Sequence, residues 1–232
     1  MLQLENVSIA GSPNPLKHAS FRAPVESFVS LIVEDESILP IIADTLTGER
    51  APDEGRVLAD SIDISQIKPS VRRKRLASLP DDPRGILVPG FSVMENLALT
   101  YSYGEGHPFR RAPGRQDIAL FRAALEPLNL AQTLDMPLSA LNVEQRCLLA
   151  LRVVLLAQPK ILVVVEPRTV LDEAKSRGYL RAVWKLTRTQ KVTTILLTLN
   201  ERSAKAFGDR CYRVSNGQFI LEPITEEAAS LS

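Results

Sequence analysis

The densest set of reactive side chains lies in one stretch, Val33–Pro40, which reads VEDESILP. Glu34, Asp35 and Glu36 supply three carboxylates and Ser37 a hydroxyl, and Ile38, Leu39 and Pro40 then turn apolar. Carboxylates just ahead of an apolar helical pattern satisfy the positive end of the helix dipole, so Asp35, Glu36 or Ser37 is expected to cap that helix. The stretch holds no glycine and no lysine. Those are the residues with which a loop turns its amides onto phosphates and reaches them with a cation. Pro40 removes one more amide. The acids also repel a phosphate chain: one like-charge pair about 4 Å apart, at an effective dielectric of about 20, costs about 4 kcal/mol.

The other candidates for chemistry are weaker. His18 and His107 have no ligand partner at metal spacing, so a metal role is not expected. Gly104-x-Gly106 is too short for a phosphate loop and follows no strand. Cys147 reads as a core residue and Cys211 as the start of a strand. Two cysteines provide neither a disulfide scaffold nor a four-thiol zinc site. Arg72-Arg73-Lys74-Arg75 reads as a solvated helix face, with contact to nucleic acid or anionic lipid as the alternative. Trp184 reads as a core or interface residue.

The elements that must hold these residues follow from apolar patterning. Val29–Val33, Ile161–Val165 and Thr193–Thr198 are short continuous apolar runs, as expected of strands buried on both faces of a parallel sheet. Leu2–Ile9 and the Ser20–Ala23 region are two further strands. Arg210–Ser215 and Gln218–Leu221 flank Asn216-Gly217, a strong hairpin signal. Helical patterns run over Ile38–Leu46, Asp117–Leu125, Asn142–Ala157 and Glu173–Thr189, with Asn142 at a capping position. Strands separated by helices predict an α/β domain. Residues 83 to 157 lack buried strands and read as a helical insertion, with Tyr101–Arg115 as a mobile loop rich in Gly, Pro and Arg.

The chain has 232 residues, 45% hydrophobic and 24% charged, which is ordinary globular composition. With 28 basic and 27 acidic residues the net charge is +1, which argues against a nucleic-acid partner. No apolar stretch approaches the roughly 20 residues of a membrane span, and the N-terminus has no secretory pattern. The expected location is the cytosol, with membrane contact only through a partner.

Several segments together resemble the nucleotide-binding subunit of ATP-binding-cassette (ABC) transporters. They are LQLENVSI at the start, Ala51–Val57 with Asp63-Ile64-Ser65, Ser92–Leu97, Ala157–Lys160, Glu166-Pro167, Leu171-Asp172, and Asp209-Arg210 with Asn216-Gly217. They occur in the family's order over about residues 1–221. The resemblance implies a P-loop NTPase-like fold: a mostly parallel sheet, an N-terminal antiparallel strand region and an inserted helical subdomain. The implied core is 1–83 with 158–232, and the implied insertion is 84–157.

Measured against the family's motifs, the eight positions of the phosphate loop are Val33, Glu34, Asp35, Glu36, Ser37, Ile38, Leu39 and Pro40. The signature reads Leu141-Asn142-Val143-Glu144-Gln145, and the magnesium aspartate is Val165. The loop glutamine is Asp81, the switch histidine is Leu199, and no adenine-stacking aromatic stands in Ile9–Ser12. Glu166 occupies the general-base position, as a vestige or a strand-end charge paired with an arginine. Asp172 of the D-loop is unchanged. The expectation from these departures is a pseudo-ATPase that holds no cofactor. It would pair as a heterodimer with an active ABC ATPase paralogue through Asn142, Gln145 and Asp172, and dock on a transmembrane permease at the cytoplasmic face of the inner membrane. A soluble regulatory or scaffold module and a divergent active ATPase are the alternatives.

Overall fold

The computed structural model describes residues 1–11, 15–104 and 113–223. His107, Gly106 and part of the loop expected at Tyr101–Arg115 lie outside them. The strands are β1 Leu2–Ile9, β2 Leu16–Ala23, β3 Phe28–Val33, β4 Glu54–Ala59, β5 Ile62–Asp63, β6 Leu76–Leu79, β7 Ile161–Val165, β8 Thr193–Thr198, β9 Arg210–Ser215 and β10 Gln218–Glu222. The α-helices are α1 Leu39–Thr47, α2 Pro69–Arg75, α3 Val93–Gly104, α4 Arg115–Leu125, α5 Val143–Leu156, α6 Glu173–Thr189 and α7 Glu201–Phe207. These elements fall into two compact units, Met1–Pro80 with Pro159–Glu166 and Trp184–Ser232, and Asp81–Gln158 with Pro167–Val183. The helical unit thus takes in Pro167–Val183 as well as the stretch expected at 84–157.

The first unit contains two sheets. The larger runs β10-β9-β3-β8-β7-β6 and the smaller β2-β1-β4-β5. β3, β7 and β8 are buried at every residue, which is why they read as unbroken apolar runs. They pair in parallel, with Phe28 opposite Thr194 and Ile161 opposite Thr193. β9 joins β3 in parallel and β10 returns antiparallel. The turn between them places Asn216 at φ 51° and Gly217 at φ 75°, both left-handed as a primed two-residue turn requires. β1 pairs antiparallel with both β2 and β4. Gly55, at φ 78°, lets β4 cross β1, since a Cβ there would lie 2.3 Å from the Asn6 carbonyl oxygen. The main core cluster joins the two sheets and α1, with Leu4 and Val57 from the small sheet, Leu31 and Val163 from the large one, and Ile42 and Leu46 from α1.

The structure adds elements that patterning does not expose. β6 is only Leu76–Leu79, with its two middle residues half-exposed. α2 carries the basic run, and Arg72 on it is buried rather than solvated. α3 extends through Gly104, so the segment expected as a loop begins as the end of a helix.

In the second unit α3, α4 and α5 pack together. Asn96, buried on α3, accepts from the Val88 amide at 2.8 Å and donates to the Ser92 carbonyl at 2.9 Å. Tyr101 and Phe121 meet edge to face at 5.7 Å. Cys147 is fully buried, and burial pushes its thiol up to about 11. Among the described residues no helix is long and apolar enough to cross a membrane.

Candidate functional site

The stretch Val33–Pro40 leaves β3 and enters α1 through a single 3₁₀ turn, Glu36–Ile38. Asp35 caps that turn, accepting from the Ser37 amide at 2.8 Å and the Ser37 hydroxyl at 2.7 Å. The hydroxyl bond, then the amide bond, hold its carboxyl below the usual range. The Ile38 amide donates to the Asp35 carbonyl at 3.2 Å, and the Leu39 amide to the Glu36 carbonyl. Pro40 has no amide, and α1 begins with no side-chain cap of its own. The expected acidic cap is therefore Asp35, acting on the turn before α1. Placed this way, the amides of Ser37, Ile38 and Leu39 are bonded within the loop rather than presented to a ligand.

A cavity of about 380 Å³ adjoins the loop, lined by Pro15, Lys17, Glu34, Asp35 and Ile38 and, from the β9–β10 hairpin, by Val214, Asn216 and Gly217. Glu34 lies 3.9 Å from Arg213, which also binds Glu201 at 2.9 Å and Glu222 at 2.8 Å. The hydrogen bonds that Arg213 donates to Glu222 and to Glu201 raise its guanidinium above the ordinary range.

Glu166 directly follows β7 and is 4% exposed. Its carboxylate accepts from the Ser203 hydroxyl at 3.0 Å and from the Thr198 hydroxyl, while its amide donates to Leu197. Asn200 caps α7 by accepting from the Arg202 and Ser203 amides. Glu166 thus ties the end of β7 to the end of β8 and the first turn of α7. Sequence reasoning passed over Thr198, Asn200, Ser203 and Arg213. An Asn followed by Glu201 and by Lys205 four residues on is the signal that marks the start of α7. Leu199, at the switch position, lies between Thr198 and Asn200.

In the second unit Asn142 caps α5. Its side chain accepts from the Gln145 amide at 2.9 Å, and the Gln145 side chain accepts from the Asn142 amide at 2.9 Å. This reciprocal box satisfies two donors. The remaining amides of the first turn, on Val143 and Glu144, have no acceptor within the helix. Asp172 precedes α6 and accepts from the Lys175 amide at 2.9 Å, with the Lys175 ammonium 3.1 Å away. That amide is the first cause of its lowered pKa. Asp81 accepts from the Arg168 amide at 2.9 Å and the Thr169 amide at 3.3 Å.

Comparison with known proteins gives these features a context. The chain is 26% identical over 240 residues to the tyrosine transport ATP-binding protein of Clostridioides difficile, covering 100% of this chain and 95% of that protein. It is 28% identical over 232 residues to the thiamine import ATP-binding protein ThiQ of Jannaschia sp., covering 99% and 96%. Among solved structures, an ATP-binding cassette of an ABC transporter in its ADP conformation superposes with TM-score 0.79 at 22% identity, covering 98% of this chain and 92% of that one. The cbiO1 protein of Clostridium perfringens, part of the ABC transporter complex cbiONQ, superposes with TM-score 0.78 at 18% identity, covering 99% and 91%. No family model matches the chain. The chain has the ATP-binding-cassette fold. Its sequence relatives are ATP-binding subunits of ABC transporters.

These relatives correct one expectation. Reading the chain as no enzyme, a pseudo-ATPase, rested on residue types at motif positions. Relatives that align along nearly its whole length are named ATP-binding proteins of transporters, so that reading does not stand. The departures at Val33–Pro40 are differences of residue type and loop hydrogen bonding. They do not amount to a demonstrated loss of activity in a cassette whose surrounding fold is intact.

Proposed function

We propose that this cassette is the ATP-binding component of a membrane transporter, working at the cytoplasmic face of the membrane. It docks on a permease through its helical unit, where Phe91, Leu99, Leu120 and Met136 are large exposed apolar side chains. It pairs with a second, paralogous ATP-binding subunit. The start of α5, with Asn142 and Gln145, and Asp172 are its contribution to a nucleotide held by the facing subunit. The observation that carries this reading is the boxed N-terminus of α5, with Asn142 and Val143 exposed, where the first-turn amides lack acceptors within the helix and carry the positive end of its dipole. The names of the full-length relatives support the transport role.

The test has two arms. Capture of the tagged chain from native membranes should bring down a permease and a second ATP-binding subunit. In the assembled complex, Asn142→Ala should lower ATP turnover about tenfold, whereas Asn142→Ser, which keeps the cap, should preserve most of it. Recovery of soluble proteins without a permease would sink the reading in favour of a scaffold module.

A further inference from the structure

We propose that a second cavity in the first unit is a binding site for a small phosphate-class oxyanion. The inference does not depend on the function proposed above. The cavity has a volume of about 380 Å³ and lies among the end of α1, β4 and α2. Three arginines line it, Arg50, Arg56 and Arg72, against one carboxylate, Asp63.

Arg72 is the deciding residue. Its side chain is only 9% exposed, yet its Nε has no hydrogen-bond partner. Its ion pair to Glu49 is long, at 3.6 Å. Glu49 is held closer by Arg73, at 3.3 and 3.4 Å, and the Arg73 hydrogen bond is the first cause of its lowered pKa. A buried guanidinium with a donor unmet is costly, and among the described residues Glu49 is the carboxylate paired with it, at 3.6 Å.

The other lining charges leave room for an anion. Asp63 spends one oxygen on the Ser65 amide at 2.9 Å and the Ser65 hydroxyl at 2.7 Å. Arg56 binds Glu5 through Nε at 2.6 Å, which leaves its terminal nitrogens as donors. Arg50 extends from an exposed position beyond α1, with Asp44 as a neighbouring charge. Val57, Ile64 and Pro52 supply apolar wall, against which guanidinium–phosphate pairing is stronger than in open water. The cavity also depends on Gly48: at φ 74°, a Cβ there would stand 3.2 Å from Arg72 Nε and 2.9 Å from Ile64.

The experiment titrates the full-length chain with inorganic phosphate at constant ionic strength, chloride serving as the replaced anion, and reads heat of binding and the unfolding midpoint. Saturable binding beyond chloride is expected. Arg50→Ala and Arg56→Ala, both at exposed positions, should each weaken it at least about tenfold. Arg72→Met should abolish it, and the two surface variants keep the test valid if Arg72→Met does not fold. Glycerol 3-phosphate is the second probe: tighter binding than inorganic phosphate, lost in the same variants, assigns the site to an organic phosphate, and equal binding assigns it to the free ion. Absence of a response beyond chloride would overturn the proposal and leave Arg72 as a counter-charge to the carbonyl end of α1. A response undiminished in both surface variants would place phosphate elsewhere and overturn it equally.

Discussion

The molecule contains two helix entrances that look alike in sequence and differ in structure. Before α1 stand Glu34–Ser37; before α5 stands Asn142. At α1 the polar residues close on themselves: Asp35 takes the Ser37 amide, the 3₁₀ turn takes those of Ile38 and Leu39, and Pro40 has none to offer. At α5 the reciprocal box uses two donors and leaves the Val143 and Glu144 amides without an acceptor inside the helix. A polar residue ahead of an apolar stretch therefore predicts that a helix starts. It does not predict whether that start is sealed or open, because that depends on which amides the polar groups reach.

The contrast implies that α1 is held by its buried face rather than by its entrance. Ile42 is fully buried in the core of the first unit. Ile42→Ala should cost about 2–5 kcal/mol, from lost transfer energy and a residual cavity. Val143→Ala, at a side chain 37% exposed on the first turn of α5, should cost well under 1 kcal/mol. Urea unfolding of both variants measures the difference, and comparable losses would break the contrast.

Glu166 supplies the next effect. Its two hydroxyl partners lie 32 and 37 residues later in the chain. Glu166→Ala should cost about 1–3 kcal/mol, because Thr198 and Ser203 would be left buried without their acceptor. Glu166→Gln should cost about 1 kcal/mol, since the amide keeps one acceptor and a hydroxyl is able to turn and receive the other bond. Equal losses in the two variants would show that packing, not hydrogen bonding, ties β7 to α7.

Glu166 also shows what the sequence makes legible. The strands β3, β7 and β8 announce themselves because burial on both faces demands apolar side chains at every position. The box at α5 is local, within three residues, and Asn142 is readable as a cap. The partners of Glu166, the Arg213 cluster and the burial of Arg72 are set by chain segments far apart, and no local pattern encodes them. β6 escapes because four residues with a half-exposed middle carry too little period. The loop at Val33–Pro40 is legible as acidic and glycine-free. Which amides Asp35 would take is geometry, and the step from residue type to lost activity goes further than residue type allows.

The box at α5 gives a smaller stability effect than either buried change. Asn142→Ala should cost about 1 kcal/mol, and Asn142→Ser a few tenths. Gln145→Ala should cost less than Asn142→Ala, since it removes only the return bond to the Asn142 amide. A loss in Gln145→Ala exceeding that of Asn142→Ala would mean that the side chain holds the helix through some other contact.

The smallest effect, and the sharpest comparison, is acid sensitivity at Asp35 and Asp172. Both carboxyls sit below their ordinary range in the folded chain. A depressed folded pKa means that the unfolded chain binds the proton first. The stabilisation is therefore present above about pH 4 and is lost as pH falls through the lower folded value. Asp35→Asn and Asp172→Asn should each flatten the acid limb of the stability curve. Salt separates them. Among the described residues the Asp35 carboxylate bonds to the neutral amide and hydroxyl of Ser37, whereas Asp172 adds an ion pair to Lys175. At about 1 M salt, where the screening length is about 3 Å, the part that Asp172 contributes should shrink and the part from Asp35 should persist. If both contributions fell alike with salt, the Asp35 turn would be held by long-range charge, and the picture of an entrance sealed by its own hydrogen bonds would fail.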